Sequence, residues 1–492
     1  MRISNPQLVA TLMHWPISNS DNQLINDRHV EYIEIRADKL GYVPIESLRQ
    51  YFHASTIFAY RENQECPQLS KAERKTLLYK ASLEYDFVEL IWEYDQELIP
   101  LIPPHKRILS IYTKDISFHS LYEQCKQMLD TEAHFYKCVV ETERAKTGVE
   151  LLTLLHTFQH SALIGYTIGQ YTAWTHLLGA LLGSPLLFGC VGEASETKEG
   201  FTLAQLLKDY TLSSLRGKKH IYGIVGNQVK QSLSPRLHNA HYELANWEGI
   251  YIPFQIEQFA DFWENVVQVD AMKEMGFSFE GFTVAAPFKS EVLKWVKEIE
   301  NPLIHFTQAA NIILRTSAHW VADTSDSVGI LKALTKRGIE TEGLCVGVIG
   351  CGGAGTSIAL ALNEKGANVY LINRDEEKGR TIAQAFGIPF IPLSQIRIDA
   401  FELLVNATPV GKYTEQMIVE PSRLPPHAIV ADLVYRKNPT AFIRKAQSLG
   451  LDTIEGKEIL IGQVAKQLHC MTGLQLMETY ALQLIHQPVC VD

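Results

Sequence analysis

Gly350, Gly352, Gly353, Ala354 and Gly355 stand between the apolar run Cys345–Ile349 and a helix-like stretch that begins at Thr356. A strand that feeds a glycine turn and then a helix leaves backbone N–H groups free and sets the positive helix end against the turn, which is chemistry for holding a pyrophosphate. A second apolar run, 368–372, ends in Asn373 and Arg374, where dinucleotide folds set the residue that meets the adenosine ribose. A guanidinium there clamps a 2′-phosphate through paired charge-assisted bonds, so Arg374 points to NADP. Asp375 is a contrary note, because its carboxylate could repel that phosphate or accept from a ribose hydroxyl. Lys137 offers a second chemistry. It sits inside the apolar run 135–140, and a lysine there is costly unless paired or neutral. Desolvation that lowers its pKa from about 10.4 makes it a Schiff-base nucleophile, whereas pairing with Glu34 or Glu141 makes it part of a buried ion pair. Residue types alone leave both readings open.

Elements must exist to position these groups. Over the first 215 residues, apolar and β-branched runs recur at 8–13, 32–36, 56–60, 87–92, 107–112, 135–140, 163–168 and 186–191, with helix-like spacers between them. Eight strand-then-helix units predict a (β/α)8 barrel, whose chemistry lies at the C-terminal ends of the strands. Charged residues stand there: Glu34 and Arg36, then Arg61. The glycine turn leaves about 140 residues after it, enough for the rest of one nucleotide domain, so the chain holds several domains.

Composition sets the class. With 492 residues, 46% hydrophobic and 20% charged, the chain can bury large cores. A net charge of −10 predicts attraction neither to nucleic acid nor to an anionic membrane, so an anionic small-molecule substrate must be met by local cations. The first residues lack the apolar core of a signal peptide, no run of 18 apolar residues occurs, and the eight cysteines include no Cys-x-x-Cys pair. A cytoplasmic protein with reduced thiols is expected. His156 and His160 have metal-pair spacing but lack the usual glutamate between them, so they are read as structural and no metal site is expected.

Glu34-Ile35-Arg36-Ala37-Asp38, Arg61 with Glu65 four residues on, Lys137, and Ile168-Gly169 followed by Gly183-Ser184-Pro185-Leu186-Leu187-Phe188-Gly189 resemble type I 3-dehydroquinate dehydratase over residues 7 to 215. The resemblance implies that Lys137 forms an iminium with the substrate ketone, while Glu34, Arg36 and Arg61 bind and orient the hydroxylated acid. The pattern departs from the family in one pocket. Tyr112 stands where strand five should carry a general-base histidine, Thr175-His176 replaces a Ser-Arg pair, and residues 195–199, ending in Glu199, only loosely echo a Ser-Ala-Pro-Gly-Gln loop. A phenol with pKa near 10 is a weak base at pH 7, and losing a matched base forfeits about 10²–10⁴ in rate. Slow dehydration is therefore expected, with His14, His119 and His176 as alternative bases.

A second resemblance covers residues 220 to 492. Ser232-Leu233-Ser234-Pro235, Gly281 to Lys289, Ala309-Ala310-Asn311, Asp323-Thr324-Ser325-Asp326, the glycine turn, Asn373-Arg374, Asn406-Ala407-Thr408, Asp432-Leu433-Val434-Tyr435 and Gly456 to Gln463 resemble shikimate dehydrogenase in order. Reducing a ketone requires a proton for the nascent alkoxide, and a lysine held by an aspartate can stabilise that oxygen and relay the proton. Lys289 and Asp326 take those roles. By resemblance Ser232 and Ser234 hold the substrate carboxylate, Asn311 and Gln463 hold ring hydroxyls, and Tyr435 lines the pocket near the nicotinamide. Thr283-Val284-Ala285 deletes one hydroxyl of the usual Asn-Val-Thr, and Asn311-Ile312 replaces Asn-Thr.

The expected architecture is α/β. A barrel (1–215) precedes a two-lobed dehydrogenase with an α/β substrate domain (216–328, completed by 457–492) and a Rossmann-like NADP domain (329–456). The expected substrates are 3-dehydroquinate, 3-dehydroshikimate and shikimate. The rival readings make the barrel a scaffold or binding module, or the second half an NAD-using quinate/shikimate dehydrogenase.

Overall fold

The structure, a computed structural model, describes residues 5–28, 30–61, 69–114, 116–192 and 200–486. The chain forms two compact units, one running to Phe279 and the other spanning Glu280–His486.

In the first unit, eight parallel strands follow the expected runs closely: β1 (Gln7–Leu12), β2 (Tyr32–Arg36), β3 (Ser55–Ala59), β4 (Phe87–Ile91), β5 (Arg107–Lys114), β6 (Phe135–Glu141), β7 (Leu163–Ile168) and β8 (Leu186–Cys190). Each strand pairs with its sequence neighbour from β1 to β7, and β8 returns to pair with β1, so the order β8-β1-β2-β3-β4-β5-β6-β7 is that of a barrel. Side chains alternate along a strand, and one set fills the interior. Tyr32, Phe87 and Phe135 meet at 5.9–6.1 Å between ring centres, and Val9, Ile57, Ile108, Val139, Ile164 and Leu186 continue the apolar filling. The same alternation carries Glu34, Glu89 and Lys137 inward one step above that aromatic layer. Beyond the barrel, β9 (His220–Gly226) and β10 (Gly249–Gln255) form a parallel pair, and the helix Ser234–Leu244 connects them. Trp174 of a barrel helix meets Phe254 of β10 at 6.1 Å.

The second unit holds two sheet regions. β11 (Ser278–Val284) lies antiparallel to β13 (Ile312–Arg315), which is antiparallel to β14 (Trp320–Asp323), while the short β12 (Glu298–Ile299) runs parallel to β14. β11 and β14 thus point the same way. Their C-terminal ends and the start of β13 share one edge. The other sheet is fully parallel: β15 (Cys345–Ile349), β16 (Asn368–Asn373), β17 (Phe390–Pro392), β18 (Leu403–Asn406), β19 (Ile429–Asp432) and β20 (Asp452–Ile454), in the order β17-β16-β15-β18-β19-β20. This is the dinucleotide-fold order, with its reversal point between β15 and β18. Apolar clusters cover both faces, around Val346, Val348 and Ile358 on one side and Ile349, Leu404 and Phe442 on the other, which explains why these strands read as unbroken apolar runs. Among the described residues no helix is long and apolar enough to cross a membrane.

Candidate active sites

Inside the barrel, Lys137 is 1% exposed, with Nζ 3.1 Å from Glu34 Oε1 and 3.5 Å from Glu89 Oε2. Arg61 bonds the same Glu34 oxygen and lies 3.6 Å from Glu89, and the Thr11 hydroxyl donates to Glu34 Oε2 at 2.9 Å. Phe188 sits under the amine, 4.1 Å from ring centre to Nζ. Burial lowers the Lys137 pKa and the Arg61 charge adds to it, against the pull of Glu34 and Glu89. Burial alone would raise the Glu34 carboxyl, but Arg61, Lys137 and Arg36 outweigh it and hold it at about 2. The result is a buried amine whose charged form burial disfavours, paired with a carboxylate that stays charged, so the Glu34 pairing expected as one reading of Lys137 is present.

One expectation needs correction here, and the other residues singled out in the sequence are placed as follows. Glu141 is not a partner of Lys137; it ends β6 near solvent and pairs with Lys114 at 2.8 Å. Sequence reading missed Glu89, whose signal was an acid inside an apolar strand, the same oddity that singled out Lys137. Arg36 forms a bidentate pair with Asp38, Nε to Oδ1 at 2.9 Å and Nη2 to Oδ2 at 2.8 Å, in addition to its charge effect on Glu34. Tyr112 donates its hydroxyl to Glu89 Oε1 at 2.8 Å, and burial pushes its phenol well above the usual value. His176 is buried against Tyr166, 4.1 Å between ring centres, with Nε2 3.2 Å from the Thr167 carbonyl oxygen. His119 lies exposed in the first turn of the helix Phe118–Leu129. His160 falls beyond the end of the helix Ala145–Phe158 that carries His156, and the described residues hold no group of three metal-ligating side chains. Glu65 and residues 195–199 lie outside the described residues.

In the second unit the shared strand edge brings the other constellation together. Lys289 follows β11, Asp326 follows β14 and Asn311 precedes β13. Lys289 Nζ lies 2.7 Å from both Asp326 oxygens. Asn311 Nδ2 donates to Asp326 Oδ1 at 2.8 Å and its Oδ1 accepts from the Ser325 N–H at 2.7 Å, so the carboxylate is held from two sides. The helix Gly456–Thr472 crosses the helix Val328–Lys336 closely, with Gly462 against Gly329, and this crossing puts Gln463 Nε2 3.5 Å from the Asp326 carbonyl oxygen. Two further residues of that helix, unremarked in the sequence, tie down the loop: Lys466 bonds Asp323 at 2.8 Å and Gln467 bonds Ser325 at 3.0 Å. Tyr435 is half-buried after β19, in a small cleft with Arg436, Thr440 and Lys457. Ser232 and Ser234 belong to the first unit, where the Ser232 hydroxyl accepts from the Ser234 N–H at 3.2 Å at the start of a helix.

The glycine turn lies beside the Lys289 stem. A Cβ built on Gly353 would stand 3.7 Å from Lys289 Cδ. Gly350 has φ +113°, a region that favours glycine, and it faces Ala407 and Thr408 after β18. Gly352 caps the helix Gly353–Glu364, leaving its first N–H groups for an anion. Arg374 is exposed at the end of β16. Asp375 caps the next helix: its Oδ1 accepts from the Lys378 N–H at 3.0 Å as the N-cap of the helix Glu376–Phe386. With one carboxylate oxygen turned onto its own helix, the exposed Arg374 guanidinium is the cation at this strand end. These residues fit NADP.

Gly355 gives a sharp test. A Cβ there would overlap the Gly350 carbonyl and press the Ala407 side chain at 3.2 Å. Gly355→Ala is expected to weaken NADP binding about tenfold or more, from a backbone shift costing about 1–3 kcal/mol, as read by fluorescence titration. Parental affinity would mean that the turn is not the nucleotide cradle.

Comparison with known proteins bears on both halves. The family profile described as type I 3-dehydroquinase matches residues 19–216, and that of the shikimate dehydrogenase substrate binding domain matches residues 224–313. A third, described as FAD binding domain, matches residues 346–410. That stretch holds the glycine turn and its strands, a feature shared by dinucleotide folds whichever nucleotide they take. A shikimate dehydrogenase (NADP(+)) of Pyrococcus furiosus is 33% identical over 274 residues, 54% of this chain and 97% of that protein. A bifunctional 3-dehydroquinate dehydratase/shikimate dehydrogenase of Arabidopsis thaliana, described as chloroplastic, is 26% identical over 516 residues, 96% of this chain and 83% of that protein. A crystal structure of a shikimate dehydrogenase in complex with NADP+ shares 25% identity at a TM-score of 0.50, over 56% of this chain and 97% of its own. The chain therefore belongs to the shikimate dehydrogenase family, in the bifunctional arrangement that sets a type I 3-dehydroquinase part before the dehydrogenase.

Proposed function

We propose that this chain carries two consecutive steps of the shikimate pathway: dehydration of 3-dehydroquinate to 3-dehydroshikimate in the barrel, and NADP-dependent reduction of 3-dehydroshikimate to shikimate in the second half. The observation that carries the reading is the Lys289 ammonium chelated by Asp326 at 2.7 Å, with its stem against the glycine turn. Bound NADPH supplies a hydride. The chain's own part is to hold a donor at the ketone oxygen, and Lys289, fixed by Asp326, can deliver that proton as the alkoxide forms. Asn311 fixes Asp326 in turn. In the barrel, Lys137 is the amine for the imine, and Arg61 and Arg36 supply positive charge for an anionic acid. We assign 1–215 to the dehydratase, 216–328 with 457–492 to the substrate domain and 329–456 to the NADP domain. A cytoplasmic location is consistent with six described cysteines that form no disulfide.

The experiment is a two-stage assay of the whole chain, following NADPH consumption with 3-dehydroshikimate and then with 3-dehydroquinate. Consumption with both supports the reading. Consumption with neither would overturn it. Cofactor choice is tested at Arg374. Removing a bidentate charge-assisted pair costs about 1.5–3 kcal/mol, so Arg374→Ala is expected to raise the NADP KM about tenfold or more with little change for NAD. Equal use of NADP and NAD by the parent would contradict the assignment.

A further inference from the structure

The barrel has a lysine suited to imine formation and, at the family's base position, a phenol. We propose that Tyr112 and Glu89 act together as the proton relay that serves the Lys137 imine, with Tyr112 touching the substrate and Glu89 acting through it. The proposal rests on the dehydratase reading of the barrel.

Three observations carry it. The Tyr112 hydroxyl donates to Glu89 Oε1 at 2.8 Å, so its proton is committed to Glu89 and its oxygen lone pairs are left to accept another. The other oxygen of Glu89 lies 3.5 Å from Lys137 Nζ, and the Tyr112 ring centre is 5.7 Å from the same nitrogen. The relay and the amine therefore share one cluster. Finally, the three alternative bases are placed less well: His176 turns Nε2 to the Thr167 carbonyl, His119 is exposed on a helix, and His14 is exposed beyond the end of β1.

The chemistry balances. Lys137 and the ketone form an iminium with loss of one water. The C–H bond beside the iminium carbon then breaks; its electron pair forms the enamine C=C while the C=N pair returns to nitrogen. That proton goes to the Tyr112 oxygen as the phenol proton passes to Glu89. In the second step the enamine pair restores C=N, the shared C=C shifts toward the β-carbon, and the C–O bond to the β-hydroxyl breaks. The leaving oxygen takes the proton from Tyr112, which recovers its own from Glu89. One water departs, and hydrolysis of the conjugated iminium frees the product and the amine. A tyrosinate never has to accumulate, which matters because burial raises the Tyr112 phenol so far above its usual value. Concerted transfer to a nearby carboxylate removes that barrier.

The test separates turnover from imine formation in the full chain. Tyr112→Phe, which deletes one hydroxyl, is expected to lower kcat on 3-dehydroquinate by about 10²–10⁴ while borohydride still traps substrate on Lys137, as read by mass spectrometry. Glu89→Gln, which keeps an acceptor but not a proton sink, is expected to lose a similar factor, and the double variant no more than either single, as groups acting as a unit do. Tyr112→Phe at the parental kcat, or a double variant showing the product of the two losses, would overturn the relay. Loss of trapping in Tyr112→Phe would overturn it as well, by making the phenol a positioning group for the amine. Absence of trapping in the parent is distinguishable, because it overturns the dehydratase reading itself and the relay with it.

Discussion

Replacing Lys289 by alanine is expected to cut kcat for shikimate oxidation by about 10²–10⁴ while leaving NADP affinity about unchanged. The amine is the one donor set against both Asp326 oxygens at 2.7 Å, and Asp326 cannot substitute for it, being an acceptor that Asn311 already engages at 2.8 Å. An interaction realised only as charge develops on the substrate oxygen lowers kcat and kcat/KM together, so the KM for shikimate should move little. Asp326→Asn keeps a partner for Lys289 but removes the charge that fixes it, and a smaller loss in the same direction is expected. The nucleotide cradle proposed above is backbone and Arg374, so NADP affinity provides an internal control. A Lys289→Ala enzyme working at the parental rate would sink the assignment; one that also lost NADP would make Lys289 a support of the glycine turn instead.

The fold was legible because its strands are buried on both faces or alternate cleanly. Runs such as 163–168 and 32–36 coincide with β7 and β2, since β-branched and apolar residues there have no competing helical period. The glycine turn was equally plain: a sequence with Gly350 at positive φ and Gly355 against the Gly350 carbonyl tolerates little else. The order of β15 to β20 follows once that turn is placed.

Pairings between distant residues were less legible. Glu34 and Lys137 are 103 positions apart and Glu89 is 48 from Lys137, so nothing local says which acid faces the amine. Strand parity said more than was drawn from it. Phe87, Glu89 and Ile91 alternate as Phe135, Lys137 and Val139 do, and an inward lysine in a parallel barrel demands an inward acid on a neighbouring strand. Glu141 shares that parity but ends its strand, where water reaches it. Asp375 stood as a contrary note beside Arg374 because position alone says nothing of where its carboxylate turns; the capping bond to Lys378 answers to a helix-start signal, an aspartate before Glu376-Glu377. Helix-borne Gln467 and Lys466 escaped notice because their targets are loop atoms fixed only by the fold.

Lys137→Ala is expected to abolish both borohydride trapping and dehydration, a loss beyond the about 10²–10⁴ assigned to a proton-transfer group, because the variant has no electron sink for the breaking C–H bond. The cluster explains why no neighbour can stand in. Arg61 is held in its charged form by Glu34, and the described barrel cluster offers no other amine beside Glu34 and Glu89. Removing one member of a buried ion cluster also carries a structural cost of about 3–5 kcal/mol when the remaining charge is left unpaired. Here Arg61 still pairs with both acids, so the cost should fall below that range and the variant should melt cooperatively, somewhat earlier than the parent. Glu34 keeps Thr11 and the charge of Arg36, and Glu89 keeps Tyr112, in addition to Arg61, and the dehydrogenase assay on the same sample reports whether the rest of the chain is intact. Retained 3-dehydroshikimate reduction with no dehydration would place the imine at Lys137. Dehydration persisting in Lys137→Ala at more than about a tenth of the parental rate would contradict imine chemistry in this barrel, since a tenfold change is worth only 1.4 kcal/mol and covalent activation supplies far more.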